Sequence, residues 1–593
     1  MHILGISCYY HDAAAVLLRD GQLVAAAEEE RFSRIKHDYG FPHESIRFCL
    51  EQGEIQGGDL DYVVFFEKPF RKFDRILMTV LQTYPKSWKV FRESMITWML
   101  DKLWVGGLIE SELGITKDRI LFCEHHLSHA ASAFFCSPFE ESAILTVDGV
   151  GEWVTSTWGT GRGDQIRLDG QIQFPHSLGL LYSAFTAFLG FEVNEGEYKV
   201  MGMAPYGQPR YTDKVWKLVH QNRDGSFSLD MDYFRFQHST DRTFSGKFEN
   251  LFGDARPANL QFYTESSEFP KYFGDPPSNY REICSKNQYY ADVAASIQQV
   301  TEELLIGMAR HIHNQTGLKH LCIAGGVALN SVANSRILRE TPFEALYIQP
   351  AAGDGGGALG AALWAYHSLL GGKRNFRMEH AYWGKSYSCD EIRSFLDEKG
   401  ITYRFIEQDD SLYDQVVDRL EQGKVVGWFQ GRFEWGPRAL GNRSILADAR
   451  NPKMKDIVNT KIKFREPYRP FAPSVLAQHA ENYFELPGAA GHYPARFMLY
   501  VVPVKPSEQA TLPAITHVDG TGRLQTVFQE SNPRYYNLID RFREATGVPV
   551  LLNTSFNLRG EPIVNTPENA FHSFAKSEMD CLVLENVLVE KAP

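Results

Sequence analysis

Short apolar runs alternate with turns and longer amphipathic segments along this chain. The apolar run HILGIS is followed by the turn CYYHD and by two further apolar runs that flank Asp20 and Gly21. An Asp-Gly pair between apolar runs is typical of a two-residue hairpin turn. The apolar run SAILTV, the Gly-rich turn DGVGE and the returning run WVTSTWGT repeat this order. The pattern therefore predicts an internal duplication of a strand–turn–strand unit.

The next part of the chain alternates helical and strand patterns. Helical periodicity in ADVAASIQQVTEELLIGMARHIHNQTG precedes the strand HLCIAGG and the helix ALNSVANSRIL, and the strand ALYIQP precedes a Gly-rich turn and another helix. This alternation predicts an α/β fold with a parallel or mixed sheet. We expect a first domain over residues 1–378, with an insertion at about 220–285, and a second α/β domain over 379–593.

Length and charge narrow the classes of protein. A chain of 593 residues, 44% of them hydrophobic, is long enough for two or more domains with their own cores. A net charge of -12 argues against a general nucleic-acid binder but leaves room for a small phosphate pocket. The eight cysteines show no Cys-x-x-Cys spacing, which favours a cytoplasmic protein. The most membrane-like run, MITWMLDKLWVGGLI, is interrupted by Asp101 and Lys102, so we expect no membrane partner.

Two histidines and two aspartates form a candidate metal site. His125 and His129 lie four residues apart, on one face of a predicted helix. Hydrogen bonding of two buried histidines to the backbone is the alternative, and His126 stands where a zincin motif needs Glu. Asp148 and Asp354 follow predicted strands, where α/β sheets place ligands. Two imidazoles and two carboxylates suit iron, manganese or zinc.

Three Gly-rich segments, DGVGE, AGGVALN and GDGGGALG, follow predicted strands. Glycines at such turns let backbone N–H groups approach phosphates, although tight chain reversal alone also explains each one. Together the three favour a nucleotide cleft. The candidate nucleotide-binding residues here are Gly149, Gly151, Glu152, Gly325, Gly326, Asn330 and Gly355.

The C-terminal part carries a candidate anion pocket. Six basic residues fall within a short stretch of an acidic chain: Arg438, Arg443, Lys461, Lys463, Arg465 and Arg469. Arg and Lys bind phosphate and carboxylate, and the Gly-Pro-Arg and Arg-Pro-Phe contexts favour fixed loops over the alternative of a solvated basic face. Asn553, Ser555 and Asn557 alternate at the end of a predicted strand, so we expect all three to point the same way.

Ten segments together carry a family resemblance. They include ILGISCYYHDAAAVLL, HHLSHAASAF, GEYKVMGMAPYG, GGVALNSVAN, GPRALGNRSILADAR, RPFAPSVL and NTSFNLRGEPI, and they cover nearly the whole chain. In this order they resemble the NodU/CmcH-type carbamoyltransferases of natural-product tailoring. The resemblance implies an α/β architecture in which an actin-like ATPase-fold (duplicated RNase H-like) Kae1-like domain is followed by a YrdC-like α/β domain.

The resemblance also implies a reaction in two steps. The second domain would make carbamoyl-adenylate from the substrates carbamoyl phosphate and ATP, and the first would transfer the carbamoyl group to a hydroxyl group. Arg438, Lys463 and Arg469 match family positions that hold phosphates. The resemblance places Arg523, Asn553, Ser555 and Asn557 in the same pocket.

For the first domain, the resemblance implies a divalent metal, iron(II), held by His125, His129, Asp148 and Asp354. His11 and Asp12 match acceptor-side positions, and His11 is the candidate general base. The implied partner is a small hydroxylated acceptor, with no nucleic acid and with a homodimer as the assembly.

Two other functions stay open. One is a tRNA threonylcarbamoyl transferase-like enzyme, against which the net charge of -12 and the second domain argue. The other is a non-enzymatic, nucleotide-binding regulator of the actin-like class, against which the four candidate metal ligands and the basic pocket argue.

Overall fold

The computed structural model describes residues 1–100, 102–258, 260–267, 269, 275–466 and 468–591. Its contacts divide the chain into two units. The first comprises Met1–Glu29, Tyr39–Glu265 and Arg281–Met378, and the second comprises Glu30–Asp38, Ser266–Tyr280 and Glu379–Pro593. The predicted boundaries of the Kae1-like and YrdC-like domains stay predictions.

The first unit contains twelve described strands. They are β1 (His2–Ser7), β2 (Ala14–Arg19), β3 (Gln22–Glu28), β4 (Tyr62–Phe65), β5 (Ile120–Phe122), β6 (Glu141–Val147), β7 (Val154–Arg162), β8 (Gln165–Gln173), β9 (Val219–Gln221), β10 (Phe227–Leu229), β11 (His320–Ala324) and β12 (Ala345–Tyr347).

Helix α1 (Glu30–Ser33) belongs to the second unit, and the helices that follow along the chain belong to the first. They are α2 (His43–Gly53), α3 (Pro69–Thr83), α4 (Trp88–Leu100), α5 (Val105–Leu113), α6 (His125–Phe134), α7 (Leu178–Phe188), α8 (Glu197–Met203), α9 (Thr212–Val215), α10 (Gly246–Phe252), α11 (Tyr280–Thr316), α12 (Ser331–Glu340) and α13 (Asp354–Trp364).

Two five-stranded sheets of the first unit have the same topology. One has the order β3-β2-β1-β4-β5 and the other has the order β8-β7-β6-β11-β12. In each sheet the first three strands along the chain pair antiparallel, and the last two add parallel to the other side of the first strand. The predicted α/β class and the predicted duplication are confirmed, in the doubled arrangement expected of the actin-like class.

Helices α6 and α13 pack unusually closely because glycine lies at their contact. A β-carbon at Gly360 of α13 would lie 1.7 Å from the carbonyl oxygen of Ser128 in α6. On its sheet-facing side, α13 approaches β1 so closely that a β-carbon at Gly5 would lie 1.9 Å from the carbonyl oxygen of Ala358. Only glycine permits such backbone approach. These contacts hold the two helices that carry candidate metal ligands.

The predicted insertion at about 220–285 includes β10 and α10. The long helix α11 begins at Tyr280, within that predicted range. Residues 259, 268 and 270–274 of the predicted insertion lie outside the described residues.

The second unit is built on one nine-stranded mixed sheet of order β13-β21-β20-β14-β15-β19-β16-β18-β17. Its strands are β13 (Arg404–Phe405), β14 (Val426–Phe429), β15 (Arg443–Asp448), β16 (Ala472–Leu476), β17 (Tyr500–Pro503), β18 (Thr521–Val527), β19 (Val550–Ser555), β20 (Cys581–Leu584) and β21 (Val587–Glu590). After α1, its helices are α14 (Cys389–Glu398), α15 (Asp409–Glu421), α16 (Met454–Ile457), α17 (Ala480–Tyr483), α18 (Tyr493–Arg496), α19 (Pro533–Thr546) and α20 (Pro567–Lys576).

The core of the second unit follows from helical spacing. Leu412, Val416 and Leu420 recur every four residues along α15 and are buried, so they form one apolar face. The same core contains Trp428 of β14 and Phe542 of α19, both buried. This packing secures the central strands that carry the candidate anion-binding residues. Among the described residues, no helix combines the length and the apolar character needed to cross a membrane.

Candidate functional site

The structure brings the four predicted metal ligands together in the first unit. His125 and His129 lie on α6, Asp148 directly follows β6, and Asp354 is the first residue of α13. All four are buried. The Nε2 atoms of His125 and His129 lie 3.1 Å apart, and Asp148 Oδ2 lies 3.1 Å from His125 Nε2. Asp354 Oδ1 lies 3.5 Å from His129 Nε2.

The donor set fits a divalent transition metal. One ligand atom from each of the four side chains lies within 4.8 Å of every other. Among the described residues, Asp354 Oδ2 is buried and accepts no hydrogen bond. A buried carboxylate oxygen without a partner is costly, so a cation at this point would stabilise it. Imidazole and carboxylate ligands with open positions suit iron, manganese or zinc, and they do not distinguish these ions.

The pKa shifts within the cluster are also consistent with a bound cation. Burial alone lowers the pKa of His125, but Asp354, Asp148 and Glu67 outweigh it and raise that pKa to about 10. Burial raises the pKa of Asp148, yet hydrogen bonds from His125 and His129 hold it well below the usual value. The two carboxylates thus favour positive charge at the imidazoles, as they would favour a cation at the same point. Metal binding would release protons from the ligands.

His126 is excluded as a ligand by its own hydrogen bonds. Its Nδ1 lies 2.7 Å from Thr146 Oγ1, and its Nε2 lies 2.9 Å from the carbonyl oxygen of Val154. Burial, reinforced by His125 and His129, holds the pKa of His126 well below its usual value. A neutral ring with both nitrogens engaged anchors α6 to β6 and β7.

A buried ion pair behind His125 was missed by the sequence analysis. Glu67 Oε2 lies 2.5 Å from Lys72 Nζ and 3.7 Å from His125 Nδ1. Burial raises the pKa of Glu67, but Lys72 and His125 outweigh it and lower that pKa to about 2. A carboxylate behind a ligating imidazole orients the ring. The available signal was the same as for Asp148, because Glu67 follows an apolar run, YVVFF.

Two of the predicted phosphate turns pack against the candidate metal ligands Asp148 and His125. The N–H of Gly326 donates to Asp148 Oδ1 at 2.8 Å. Gly325 has φ of 95°, and a β-carbon there would lie 2.2 Å from the carbonyl oxygen of Val147. A β-carbon at Gly151 would lie 3.0 Å from the ring of His125. These glycines allow the turns to pack against the ligands.

The other predicted nucleotide-binding residues are also engaged with protein groups. Glu152 accepts hydrogen bonds from the backbone N–H of His125 and of Lys68. Asn330 caps α12 by accepting from the N–H of Ala333, and Gly149 accepts from Ser177 Oγ through its carbonyl oxygen. Gly355 lies within α13 rather than in a turn, because the helix already begins at Asp354. Nucleotide binding by these residues stays a prediction.

A polar cleft of about 370 Å³ lies beside the cluster. Glu152, whose carboxylate binds the N–H of His125, forms part of its wall. The other lining residues are Arg71, Glu124, Trp153, Val154, Gln171 and Gln173. Charged side chains, amides and one indole ring suit a polar small molecule. Gln171 and Gln173 were missed by the sequence analysis because they alternate at exposed positions of β8 without any motif, and Trp153 because it lies in the turn before β7.

His11 and Asp12 form a hydrogen-bonded pair after β1. His11 Nδ1 lies 2.7 Å from Asp12 Oδ2, and His11 Nε2 lies 3.1 Å from the carbonyl oxygen of Asn194. Burial lowers the pKa of His11, but Asp12 and then Asp354 outweigh it and raise that pKa to about 10. His11 is therefore protonated at neutral pH in this arrangement.

In the second unit, Lys463 is buried in a cage of oxygen atoms. Its Nζ lies within 3.2 Å of four acceptors, which are the carbonyl and side-chain oxygens of Ser555 and Asn557. Burial, reinforced by Arg465 and Arg469, holds the pKa of Lys463 well below its usual value. An anion at this point would favour the protonated amine.

Asn553 lies in a neighbouring network rather than in the lysine cage. Its side-chain N–H groups donate to Gln525, to Ser474 and to the carbonyl oxygen of Ala439. This network supports the loop that carries Arg438. Asn557 lies beyond the end of β19, so the predicted alternation along one strand ends at Ser555.

The basic stretch does not form one pocket. Arg443 is buried and donates to the carbonyl oxygens of Gln430 and Lys385. Lys461 pairs with Glu578 at 2.9 Å. Arg443 and Lys461 thus bind groups outside the oxygen cage of Lys463. Arg438, Lys463, Arg469 and Arg523 of β18 stay the predicted phosphate-binding residues. Arg469 Nη1 lies 3.3 Å from Glu466 Oε2.

Comparison with known proteins assigns the class. Residues 2–363 match the family model described as Carbamoyltransferase N-terminus, and residues 417–591 match the one described as Carbamoyltransferase C-terminus. The protein is thus a carbamoyltransferase. Together with the relatives described next, these matches show that the chain belongs to the NodU/CmcH-type carbamoyltransferase family.

Three relatives illustrate the similarity. An uncharacterized protein of Synechocystis sp. is 46% identical over 100% of this chain and 97% of its own length. Nodulation protein NolNO of Sinorhizobium fredii is 38% identical over 98% of this chain and 79% of its own length. The 3'-hydroxymethylcephem-O-carbamoyltransferase of Streptomyces clavuligerus is 36% identical over 41% of this chain and 44% of its own length.

Proposed function

We propose that the protein is an ATP-dependent O-carbamoyltransferase that works through carbamoyl-adenylate. Carbamoyl phosphate gives up its phosphate to water, and a carbamate oxygen attacks the α-phosphorus of ATP, which releases pyrophosphate. The acceptor hydroxyl oxygen then attacks the carbamoyl carbon, and AMP leaves with the electron pair of the broken bond. One AMP, one pyrophosphate and one phosphate form for each group transferred.

The observation that carries this proposal is that one carbamoyltransferase chain contains two buried clusters, one of imidazoles and carboxylates and one of basic side chains. In the second unit, the amine of Lys463 lies among Arg465 and Arg469 without a carboxylate in its cage. Such a cluster favours an anion with several oxygens. We assign adenylate formation to it, with Arg438, Lys463 and Arg469 on the phosphates of ATP and carbamoyl phosphate.

We assign carbamoyl transfer to the first unit. His125, His129, Asp148 and Asp354 would hold a divalent ion, iron(II) in our proposal, which when bound supplies Lewis-acid polarisation of the carbamoyl carbonyl. Glu67 lies 3.7 Å from His125 Nδ1, on the side of the ring opposite the Nε2 atom that faces the cluster, and its negative charge favours a proton on Nδ1. The close packing of α6 on α13 excludes water from the ligands, which limits hydrolysis of a labile adenylate.

The proposed acceptor is a small hydroxylated natural product bound in the polar cleft. Its lining of Arg71, Glu124, Gln171 and Gln173 offers both donors and acceptors to hydroxyl groups, and Trp153 offers an apolar face. A similar protein is named for O-carbamoyl transfer to a hydroxymethylcephem, which supports a hydroxyl acceptor.

We assign His11 and Asp12 to the activation of the acceptor hydroxyl group, with His11 as the general base. With a pKa of about 10, His11 accepts the hydroxyl proton only if bound substrates lower that pKa. A base role predicts that the transfer rate rises with pH across the pKa of His11 in the ternary complex. A rate independent of pH between 6 and 10, with other steps excluded, contradicts it.

The decisive experiment omits the acceptor. Purified protein is incubated with ATP and carbamoyl phosphate, and AMP, pyrophosphate and phosphate are quantified, with Lys463→Ala as the test variant and Lys461→Ala as its matched control. Pyrophosphate is released when the adenylate forms, and an acid quench hydrolyses the adenylate to AMP. We therefore expect AMP and pyrophosphate in equal amounts from the wild type and the control, and neither from Lys463→Ala. Transfer of the carbamoyl group to an acceptor without AMP formation would overturn the adenylate route.

A further inference from the structure

Helices α3 and α4 carry a concentration of exposed apolar side chains. Across the described residues, fifteen large hydrophobic side chains are exposed, and eight of them lie between residues 70 and 104. They are Phe70, Met78, Leu81, Tyr84, Trp88, Ile96, Met99 and Trp104. The four aromatic members are 58% to 68% exposed. Since a buried aromatic side chain covers roughly 150–250 Å², these four alone present several hundred Å² of ring surface. Apolar patches of this size mark interaction sites.

The exposed positions follow the period of each helix. On α3 they recur at Phe70, Asp74, Met78 and Leu81, at intervals of four, four and three residues. On α4 the series Trp88, Arg92, Ile96 and Met99 has the same intervals. Each helix therefore turns outward one stripe with three apolar side chains, which Asp74 interrupts on α3 and Arg92 interrupts on α4.

The inner sides of the two helices are satisfied within the first unit. Phe73 of α3 and Trp98 of α4 contact each other with ring centroids 6.1 Å apart, and Trp98 is buried. Lys72 and Arg75 of α3 bind Glu67 and the carbonyl oxygen of Gly151. The indole N–H of Trp104 donates to the carbonyl oxygen of Met99, so these two exposed side chains are neighbours. The outward stripes are thus a stable feature of a packed hairpin.

The charge of this segment is opposite to that of the chain. Residues 68–104 contain eight Lys and Arg and three Asp and Glu, a net charge of +5 in a chain whose net charge is -12. This net charge is not that of the outward face, because Lys72 and Arg75 are buried on the inner side. Lys68 and Arg71 bind Glu124, and Lys89 is paired with Asp241 at 2.6 Å. Lys86, Lys89 and Arg92 are nevertheless exposed beside Trp88. Basic residues thus border the apolar stripe of α4.

We propose that the outward face of α3 and α4, together with Trp104, docks on an anionic lipid surface. Apolar stripes bordered by Lys and Arg, with Trp and Tyr among the apolar residues, are the composition of helices that lie in a membrane interface. Anionic headgroups attract the exposed Lys86, Lys89 and Arg92 and repel the acidic remainder of the chain, which orients the protein. Two copies of the chain would instead bring the same exposed cations together, and interface cores are depleted in Lys.

Docking of this kind needs no membrane-spanning helix, and it departs from the expectation of no membrane partner. That expectation came from a run interrupted by charge, whereas the exposure of the stripes depends on packing. Because α3 binds Glu67 through its inner face, the metal cluster lies about one helix diameter, roughly 10 Å, behind the docked surface. The proposal is independent of the proposed reaction.

The test is flotation of the full chain with lipid vesicles. Vesicles of phosphatidylcholine alone are compared with vesicles that contain equal parts of phosphatidylcholine and phosphatidylglycerol. We expect flotation with the mixed vesicles, weakened by salt. The double variant W88S/I96S is expected to bind at least about tenfold more weakly, and Arg92→Gln about fivefold more weakly.

Leu369→Ser is the matched control, because Leu369 is 51% exposed and lies outside the hairpin. It is expected to float like the wild type, and all variants are expected to keep their circular dichroism and their AMP formation. Flotation of W88S/I96S equal to that of the wild type overturns the proposal. So does a wild type that fails to float, including one that light scattering shows to be a dimer which W88S/I96S converts to a monomer.

Discussion

The two buried clusters of this chain favour ligands of opposite charge. In the first unit, two imidazoles and two carboxylates face one another and leave an acceptor, Asp354 Oδ2, without a hydrogen-bond donor among the described residues. In the second unit, Lys463 fills a cage of neutral oxygens and lies near Arg465 and Arg469. The donor set of the first cluster favours a cation, and the basic side chains of the second favour an anion. If the two clusters act separately, mutations in one should leave the other unchanged.

The largest expected effect is on the anion side. Lys463→Met removes the buried amine while keeping an unbranched side chain, and we expect AMP formation to fall by about 10²–10³-fold because a preorganised cation is lost. Metal content should stay at the wild-type level. Lys461→Met, at a residue paired with Glu578, should change AMP formation by less than about twofold.

In the first unit, His129→Ala is expected to reduce metal affinity by more than about 100-fold. Loss of a residue that only orients a ligand costs up to about 100-fold, and loss of the ligand itself should cost more. Metal content is measured by mass spectrometry after dialysis, alongside carbamoyl transfer and AMP formation. Transfer should be lost with the metal. AMP formation that also disappears would contradict the separation of the two clusters.

A smaller effect is expected from Gly326→Ala. The added β-carbon would lie 3.0 Å from Asp148 Oδ1, so the carboxylate must move. We expect metal affinity to fall about tenfold, with an unchanged KM for ATP. A raised KM for ATP with normal metal affinity would restore the phosphate-binding role predicted from the sequence.

The smallest expected effect on metal binding is that of His126→Gln. Both ring nitrogens of His126 are engaged with Thr146 and Val154. Loss of these bonds should lower the free energy of unfolding by about 1–3 kcal/mol, measured as a lower melting temperature. Metal affinity should change by less than about threefold, and a larger loss would make His126 a ligand.

Local patterns predicted the parts of the molecule that depend on neighbouring residues. The duplicated strand order, the helix with His125 and His129, and the position of Asp148 after a strand all follow from short-range periodicity. The Gly-rich segments left two interpretations open, because a glycine needed for close packing has the same sequence pattern as one needed for a phosphate. Gly326 donates to Asp148, and Gly355 lies in a helix.

Features that depend on tertiary contacts could not be predicted. Nothing in the sequence around Glu67 indicates that its carboxylate lies behind His125, because that contact joins β4 to α6. The sequence also does not show which groups each basic residue binds, because the carbonyl oxygens around Arg443 and Lys463 come from distant segments. Exposure of the α3 and α4 stripes was hidden for the same reason, since an apolar helical face usually predicts burial.

The glycine contact between α6 and α13 has a consequence for how the first unit assembles. His129 and Asp354 come from segments far apart in the chain. Their side chains are close only when α13 packs on α6 with Gly360 against Ser128. Binding of an ion by these four residues would therefore be thermodynamically linked to formation of this long-range contact. The amount of bound ion would then measure, without a label, the fraction of molecules in which the contact has formed.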